Sequence, residues 1–244
     1  MSKKFIAFEP SLFEFLRDLA KNNNRDWFQK NKPRYQQQVV AQVSDFIEAM
    51  QPRLEKISNA INVDPRPHGG SMFRIYRDAR FSKDKRPYKE NVGCHFRHRA
   101  GKDAHAPGYY IHLEPGNVFL GGGVWMPPSD ILTKIREAIA ANPKRWLSLR
   151  NSKKIAAYGG IQGDGLKNPP RGFDKDHPCI EDLKRKSLFV MHRVDESDVF
   201  DASFLPLVAK VYKDIAPLME FLTVAVGLPF HYEQTEEEYD LEVV

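Results

Sequence analysis

Apolar residues recur at helical spacing in the first fifth of the chain and again in its last third, and alternate at strand spacing between them. Leu12, Phe15, Leu16 and Leu19 form one stripe. Ser11-Leu12-Phe13-Glu14 ahead of it reads as a capping box, in which Ser11 and Glu14 satisfy free backbone N–H groups. That helix is expected to end at Asn22-Asn23-Asn24, and a second one carries Trp27 and Phe28. After Pro33 a longer helix carries Val39, Val43, Phe46, Ile47 and Met50, with a kink or restart at Pro52. Residues 62–70 are rich in Pro and Gly and read as loop.

The period then changes to two. Residues 71–77, 91–98, 108–114 and 117–126 read as strands, with Glu114-Pro115-Gly116-Asn117 turning the last two into a hairpin. Gly121-Gly122-Gly123 marks a bulge or a close approach to the backbone. Helix resumes after Pro127-Pro128-Ser129-Asp130 with Ile131, Leu132, Ile135 and Ile139, and Asn142-Pro143 starts a short one. A basic Gly/Pro-rich loop covers 158–178; 178–186 reads as a short helix with Asp176 as its cap, and 187–194 as a strand. The last helix spans 203–226, tolerates Pro206 in its first turn, meets Pro217 as a possible kink and stops at Gly227. Helices, then antiparallel-type strands, then helices predict an α+β fold: a central, mainly antiparallel sheet with the helices of both terminal thirds packed on it. One domain over 1–244 is expected, with helices about 11–60, the sheet region about 71–126, a helix-rich part about 128–230 and an acidic tail over 233–244.

Composition narrows the classes. With 244 residues, 41% hydrophobic and 28% charged, the chain can bury a large core, and wholesale disorder is not expected. Cys94 and Cys179 are too few for a disulfide scaffold or a Cys-rich zinc module. Without an apolar signal core near Met1 or a long enough apolar run, a cytoplasmic protein with no membrane partner is expected.

The net charge of +5 matters less than where it sits. Residues 74–89 hold seven Lys or Arg among sixteen, interleaved with aromatics. Such a run must face water or an anion, because unpaired buried cations are costly. Guanidinium forks suit phosphate or carboxylate, and Ser82 with turn N–H groups adds donors.

Strand alternation places Tyr109, Ile111 and Leu113 on one face and Tyr110, His112 and Glu114 on the other. Likewise Cys94 and Phe96 oppose Gly93, His95 and Arg97, while Phe73 and Ile75 oppose Arg74 and Tyr76. Pairing of these strands would gather Arg74, Tyr76, His95, Arg97, Tyr110, His112 and Glu114, either as a site or as the wet face of an antiparallel sheet. A metal is the minority reading: His95, His98, His105, His112 and Glu114 lie close in sequence, but no helical His-Glu-x-x-His or Cys-pair spacing occurs, and His98 and His105 read as exposed surface histidines. No nucleophile elbow or Walker-type loop is present. Cys94 reads as structural; Cys179 at a helix start is a weaker thiolate candidate. Arg171, in the second basic loop, remains available to a pocket. Trp27, Trp125 and Trp146 read as core anchors, Trp125 also as a cleft border.

Several of these stretches together resemble a known family. Asn22-Asn23-Asn24-Arg25-Asp26-Trp27-Phe28, the run from Phe73-Arg74-Ile75-Tyr76-Arg77-Asp78 to Arg86-Pro87-Tyr88-Lys89, Pro107-Gly108-Tyr109-Tyr110-Ile111-His112-Leu113-Glu114, Gly121-Gly122-Gly123-Val124-Trp125-Met126-Pro127 and Pro170-Arg171-Gly172-Phe173-Asp174 are similar to the uncharacterised bacterial and fungal family called domain of unknown function 2461. The resemblance spans nearly the whole chain and implies a single domain; it implies no activity.

Three readings follow. In the first, an enzyme or binding domain takes a small anionic, perhaps phosphorylated, ligand. Arg74, Arg77, Arg80, Ser82, Lys83, Lys89, His95, Tyr110 and Arg171 would bind it, with His112 and Glu114 as general acid/base pair and no metal. In the second, residues 74–89 form a nucleic-acid-binding module in which Phe81 and Tyr88 stack bases. In the third, the charges pair internally, as Arg77 or Arg80 with Asp78 or Asp84. Neither a cofactor nor an oligomeric state is indicated.

Overall fold

The computed structural model describes residues 5–80, 82–101 and 106–233, so the expectations for Phe81, His105 and the tail beyond Glu233 lie outside the described residues. The fold is α+β. Strands β1 (Val92–Arg97), β2 (Gly108–Leu113), β3 (Val118–Val124) and β4 (Leu188–Val194) form one antiparallel sheet in the order β1-β2-β3-β4. Helix α1 (Ser11–Lys21) precedes a long rod made of α2 (Arg25–Arg34), a π-helical stretch (Tyr35–Val40) and α3 (Ala41–Glu55). Between β3 and β4 the chain makes α4 (Ser129–Ala141), α5 (Pro143–Arg150), α6 (Lys153–Ala156) and α7 (Ile180–Leu183); α8 (Phe204–Ala225) follows β4.

Burial explains the layering. Cys94, Phe96, Tyr109, Ile111, Leu120 and Val190 turn from the sheet into one continuous core that reaches from Phe5 to Leu222. Helix α8 lies on this face. A Cβ on Gly122 would stand 2.9 Å from Met219 Sδ and 3.1 Å from Ile215 Cδ1, so the bare backbone of β3 lets the helix come close. No helix among the described residues is long and apolar enough to cross a membrane.

Several local expectations are corrected. The capping box does not form: Pro10 is already helical, so Ser11 sits inside α1. Gln42 replaces it from α3, donating to Ser11 Oγ and accepting the Glu9 N–H. Pro33 and Pro52 do not break the rod. Both are exposed, so the carbonyls they strand face water, and a π-helical turn absorbs the irregularity after Pro33. Likewise α8 runs on through Pro217, which is also exposed. Asp176 caps no helix; its N–H donates to Asp174 Oδ1 in a turn, and α7 begins only at Ile180.

Residues 71–77 are not a strand. Ser71 and Phe73 bond to the β1 edge, and the chain then leaves to pair with its own return arm. Arg77 N–H bonds Pro87 O and Lys89 N–H bonds Ile75 O, so the basic stretch is two irregular arms with a tip between them. Its root is fixed by α2. The Asn23 amide donates to Tyr88 O and Glu90 Oε1 and accepts from Tyr88 N–H, while Phe28 stacks on the buried Tyr88 ring at 4.1 Å.

Candidate functional site

The sheet face away from α8 holds a cavity of about 500 Å3, within the range of small-molecule sites. The strand register builds it. His95, Tyr110, Gly121 and Met191 form one row across the sheet, and Arg97, Gly108, Gly123 and Phe189 the next. Gly108, Gly121 and Gly123 present bare backbone as a floor. Phe73, Tyr110, Phe119, Phe189 and the exposed Trp125 stand around it. Trp125 thus borders the cleft, whereas Trp146 is a fully buried anchor and Trp27 a partly buried one. Just past the rim, Met126 takes a left-handed φ of 45° and its N–H bonds Ser187 Oγ.

A polar chain runs into this wall. Tyr110 Oη lies 3.0 Å from His112 Nδ1, and His112 Nε2 lies 3.2 Å from Glu114 Oε2. Asn117 Nδ2 donates to the same Glu114 oxygen at 2.7 Å, and Arg193 donates to Asn117 Oδ1. The His112 ring stacks flat on Phe119 at 4.5 Å. Only Tyr110 of the three lines the cavity; His112 and Glu114 stand behind it. Burial holds the Tyr110 hydroxyl well above its ordinary range, helped by Cys94 and Glu114. Burial also pulls His112 below 6.5, partly offset by the Glu114 carboxylate.

That last shift has a measurable sign. The unfolded imidazole charges near 6.5 and the native one at lower pH. Between these values the unfolded chain binds more protons, so stability falls as pH drops through the window and levels off once the native ring is charged. The margin in urea midpoint by which the wild type exceeds His112→Asn is therefore expected to shrink between about pH 7.5 and about pH 5. A constant margin would contradict a depressed His112.

The basic segment is not a free cationic surface. Arg77 and Arg86 both hold Asp84, Arg86 also holds Glu90, and Arg80 holds Asp78. The Arg80 guanidinium lowers the Asp78 carboxyl to about 2. Ser82 is half-buried and Lys83 exposed at the tip. Arg171 is exposed on its loop and does not line the cavity. Two cations are placed differently. Lys89 Nζ lies 5.3 Å over the ring of Phe73, a wall of the cavity, and Arg74 is close enough to depress Lys89 after burial has done so. Neither makes an ion pair among the described residues. Of the nine residues expected to hold a ligand, His95 and Tyr110 line the cavity, Lys89 reaches its wall at Phe73 with Arg74 acting on Lys89, and Arg77, Arg80, Ser82, Lys83 and Arg171 do not line it.

His98 is corrected from an exposed to a buried residue, 4% accessible, its Nδ1 accepting the Ala100 N–H and its Nε2 facing Pro229 O at 2.8 Å. Cys94 is buried and its thiol pushed up to about 12. Burial also raises Cys179, opposite to what a reactive thiolate needs. Sequence reading missed Phe119, Phe189 and Met191 as walls. Their signal was glycine at alternate positions, Gly121 and Gly123, on the face opposite the core.

An antiparallel sheet closed by helix on one face, and carrying an aromatic-walled, glycine-floored cavity on the other, defines an α+β protein with an open cavity on its sheet. The chain belongs to the family described as conserved hypothetical protein (DUF2461), whose model matches residues 11–221. No curated protein matches it.

Proposed function

We propose that this chain is an enzyme or binding domain for a compact, largely apolar molecule with an anionic end, and that the molecule occupies the cavity on the open sheet face. The cavity itself carries this reading: it is ring-lined, large enough for a metabolite, and has one titratable chain entering its wall. The anionic end is supported by Lys89 over Phe73, with the Arg74 charge near Lys89. His112 and Glu114 supply the acid/base capacity through Tyr110. The nucleic-acid reading is weakened, because Tyr88 is buried against Phe28 and three of the arginines in the segment are already paired.

A thermal-shift series with aryl carboxylates, aryl phosphates and their neutral isosteres tests it, since a ligand that prefers the native state raises the melting point. Anionic members are expected to raise Tm more than neutral ones. Lys89→Ala is expected to remove that difference, and Met191→Trp, which fills the cavity, to remove the shifts altogether. Shifts that survive Met191→Trp would place the binding elsewhere, and a flat response to the whole series would count against the proposal.

A further inference from the structure

We propose that Tyr110 is the residue that exchanges a proton with the occupant of the cavity, that His112 receives this proton from behind, and that the substrate class is a ring-sized apolar molecule bearing an ionisable O–H, a phenol or an enol. This rests on the reading that the cavity binds a small molecule.

The tautomer of His112 follows from its surroundings. Asn91 Nδ2, which can only donate, lies 3.4 Å from His112 Nδ1, and the Tyr110 hydroxyl lies 3.0 Å from the same atom. With the Asn91 amide donating to it and a carboxylate at the other nitrogen, Nδ1 is the bare acceptor, the ring proton sits on Nε2 aimed at Glu114, and the Tyr110 hydroxyl must donate. All hydrogen bonds then run one way: Tyr110 O–H to His112, His112 N–H to Glu114. The Tyr110 oxygen is left with lone pairs that accept from a guest. Glu114 is held in turn by Asn117, and Asn117 by Arg193.

The proton transfer balances without a co-reactant. The guest O–H proton passes to Tyr110 Oη as the Tyr110 proton passes to His112 Nδ1. The products are a guest oxyanion, a neutral Tyr110 and an imidazolium with Glu114 on its other nitrogen. Burial works against that cation, Glu114 and the flat contact with Phe119 offset it, and Lys89 stands over Phe73, a wall of the cavity where the oxyanion forms. Among the described residues the groups around this chain are few, and His95, which also lines the cavity opposite Tyr110, is the one other titratable side chain whose variant must be compared. The β1 residue opposite His112 is Gly93, Cys94 acts on Tyr110 only as a buried thiol, and His95 lies against Gly108, whose Cβ would meet its Nε2 at 2.2 Å.

Gly93 is part of the device. A Cβ there would meet Tyr110 Oη at 2.5 Å and Phe73 Cδ2 at 3.1 Å. The missing side chain is the space in which the Tyr110 ring lies while its hydroxyl reaches His112.

The test uses 4-nitrophenol and other ring-substituted phenols with the full chain, because phenol and phenolate absorb at different wavelengths. Wild-type protein is expected to bind them and to lower the ionisation midpoint of the bound phenol by about one pH unit, a tenfold change. Tyr110→Phe keeps the ring and is expected to bind phenols while returning the midpoint to its solution value; His112→Gln is expected to do the same. Nitrogen NMR is expected to show His112 passing from the Nε2–H tautomer to imidazolium as the phenolate forms, a signal that a merely structural histidine would not give. Phenols that bind but ionise alike in wild type and Tyr110→Phe would overturn the relay and leave the cavity reading standing. A complete absence of phenol binding would overturn the phenol and enol assignment, and the cavity reading would fall with it only if the aryl carboxylates and phosphates also fail to bind.

Discussion

Replacing Asp182 with alanine is expected to lower the unfolding free energy by about 3 kcal/mol, at the foot of the range for breaking a buried charged pair. Asp182 is 2% exposed and ties together elements far apart in sequence. Its Oδ2 accepts from Trp146 Nε1 and Arg150 Nη1, both at 2.8 Å, and its Oδ1 lies 3.5 Å from Arg185 Nε. Trp146 is fully buried and packs on Phe221 of α8, so α5 and α8 are both fastened through this carboxylate. Alanine would leave the indole N–H buried with no acceptor, which alone costs about 1–3 kcal/mol. The loss stays near the lower bound because the heads of Arg150 and Arg185 reach water and can be rehydrated. Asparagine keeps an acceptor for Trp146 and is expected to cost less than alanine. Urea unfolding of the two variants measures the order. An alanine variant as stable as the wild type would mean that the carboxylate holds nothing together.

How far the sequence could be read depended on whether a feature was local. Alternation along 108–114 separated Tyr109, Ile111 and Leu113 from Tyr110, His112 and Glu114, and the two sets face opposite sides of the sheet because a strand's period is geometric. The Glu114-Pro115-Gly116-Asn117 turn was legible for the same reason, with Gly116 at φ +75°. In the basic segment the reading that paired Arg77 or Arg80 with Asp78 or Asp84 is the one the structure follows, and the free-cation readings set those carboxylates aside. Asp64 with Arg66, Asp78 with Arg80 and Asp84 with Arg86 all follow one rule: two residues on, the Arg N–H and guanidinium fold back on the Asp. That Asp-x-Arg spacing was readable and says that the arginine is spoken for. The cavity was not readable to the same degree. Phe73, Phe119 and Phe189 come from three separate stretches and meet only once the strand order and register are known. Asp182 was equally hidden, since nothing near it in sequence announces Trp146 as its partner.

Gly121→Ala is expected to be the most damaging single methyl that the sheet can be given. A Cβ at Gly121 would stand 1.8 Å from Val190 O and 2.9 Å from Val190 C. Inserted bulk in a packed interior usually costs about 1–3 kcal/mol, and more when the neighbour cannot move. Here the neighbour is the backbone of β4, held by the ladder on both sides of the contact, so the upper end or beyond is expected. Gly123 repeats the constraint two residues on, with a Cβ position 2.2 Å from Leu188 O and a φ of +147°. The two glycines therefore do two things at once: they let β3 and β4 pair closely, and they leave the cavity floor without side chains. Gly116→Ala is the contrasting control. It places a side chain on a left-handed glycine, at φ +75°, which Gly121 is not, and nothing lies within 4 Å of its Cβ, so it should show backbone strain alone, about 1–2 kcal/mol. In a urea series Gly121→Ala should lose clearly more stability than Gly116→Ala. At a temperature where both remain folded, it should also lose phenol and aryl-carboxylate binding, which Gly116→Ala should keep. Equal losses would mean that strand pairing tolerates a methyl there and that the floor owes nothing to glycine. Lost stability with binding intact would separate the sheet's requirement from the site's and move the guest off that floor.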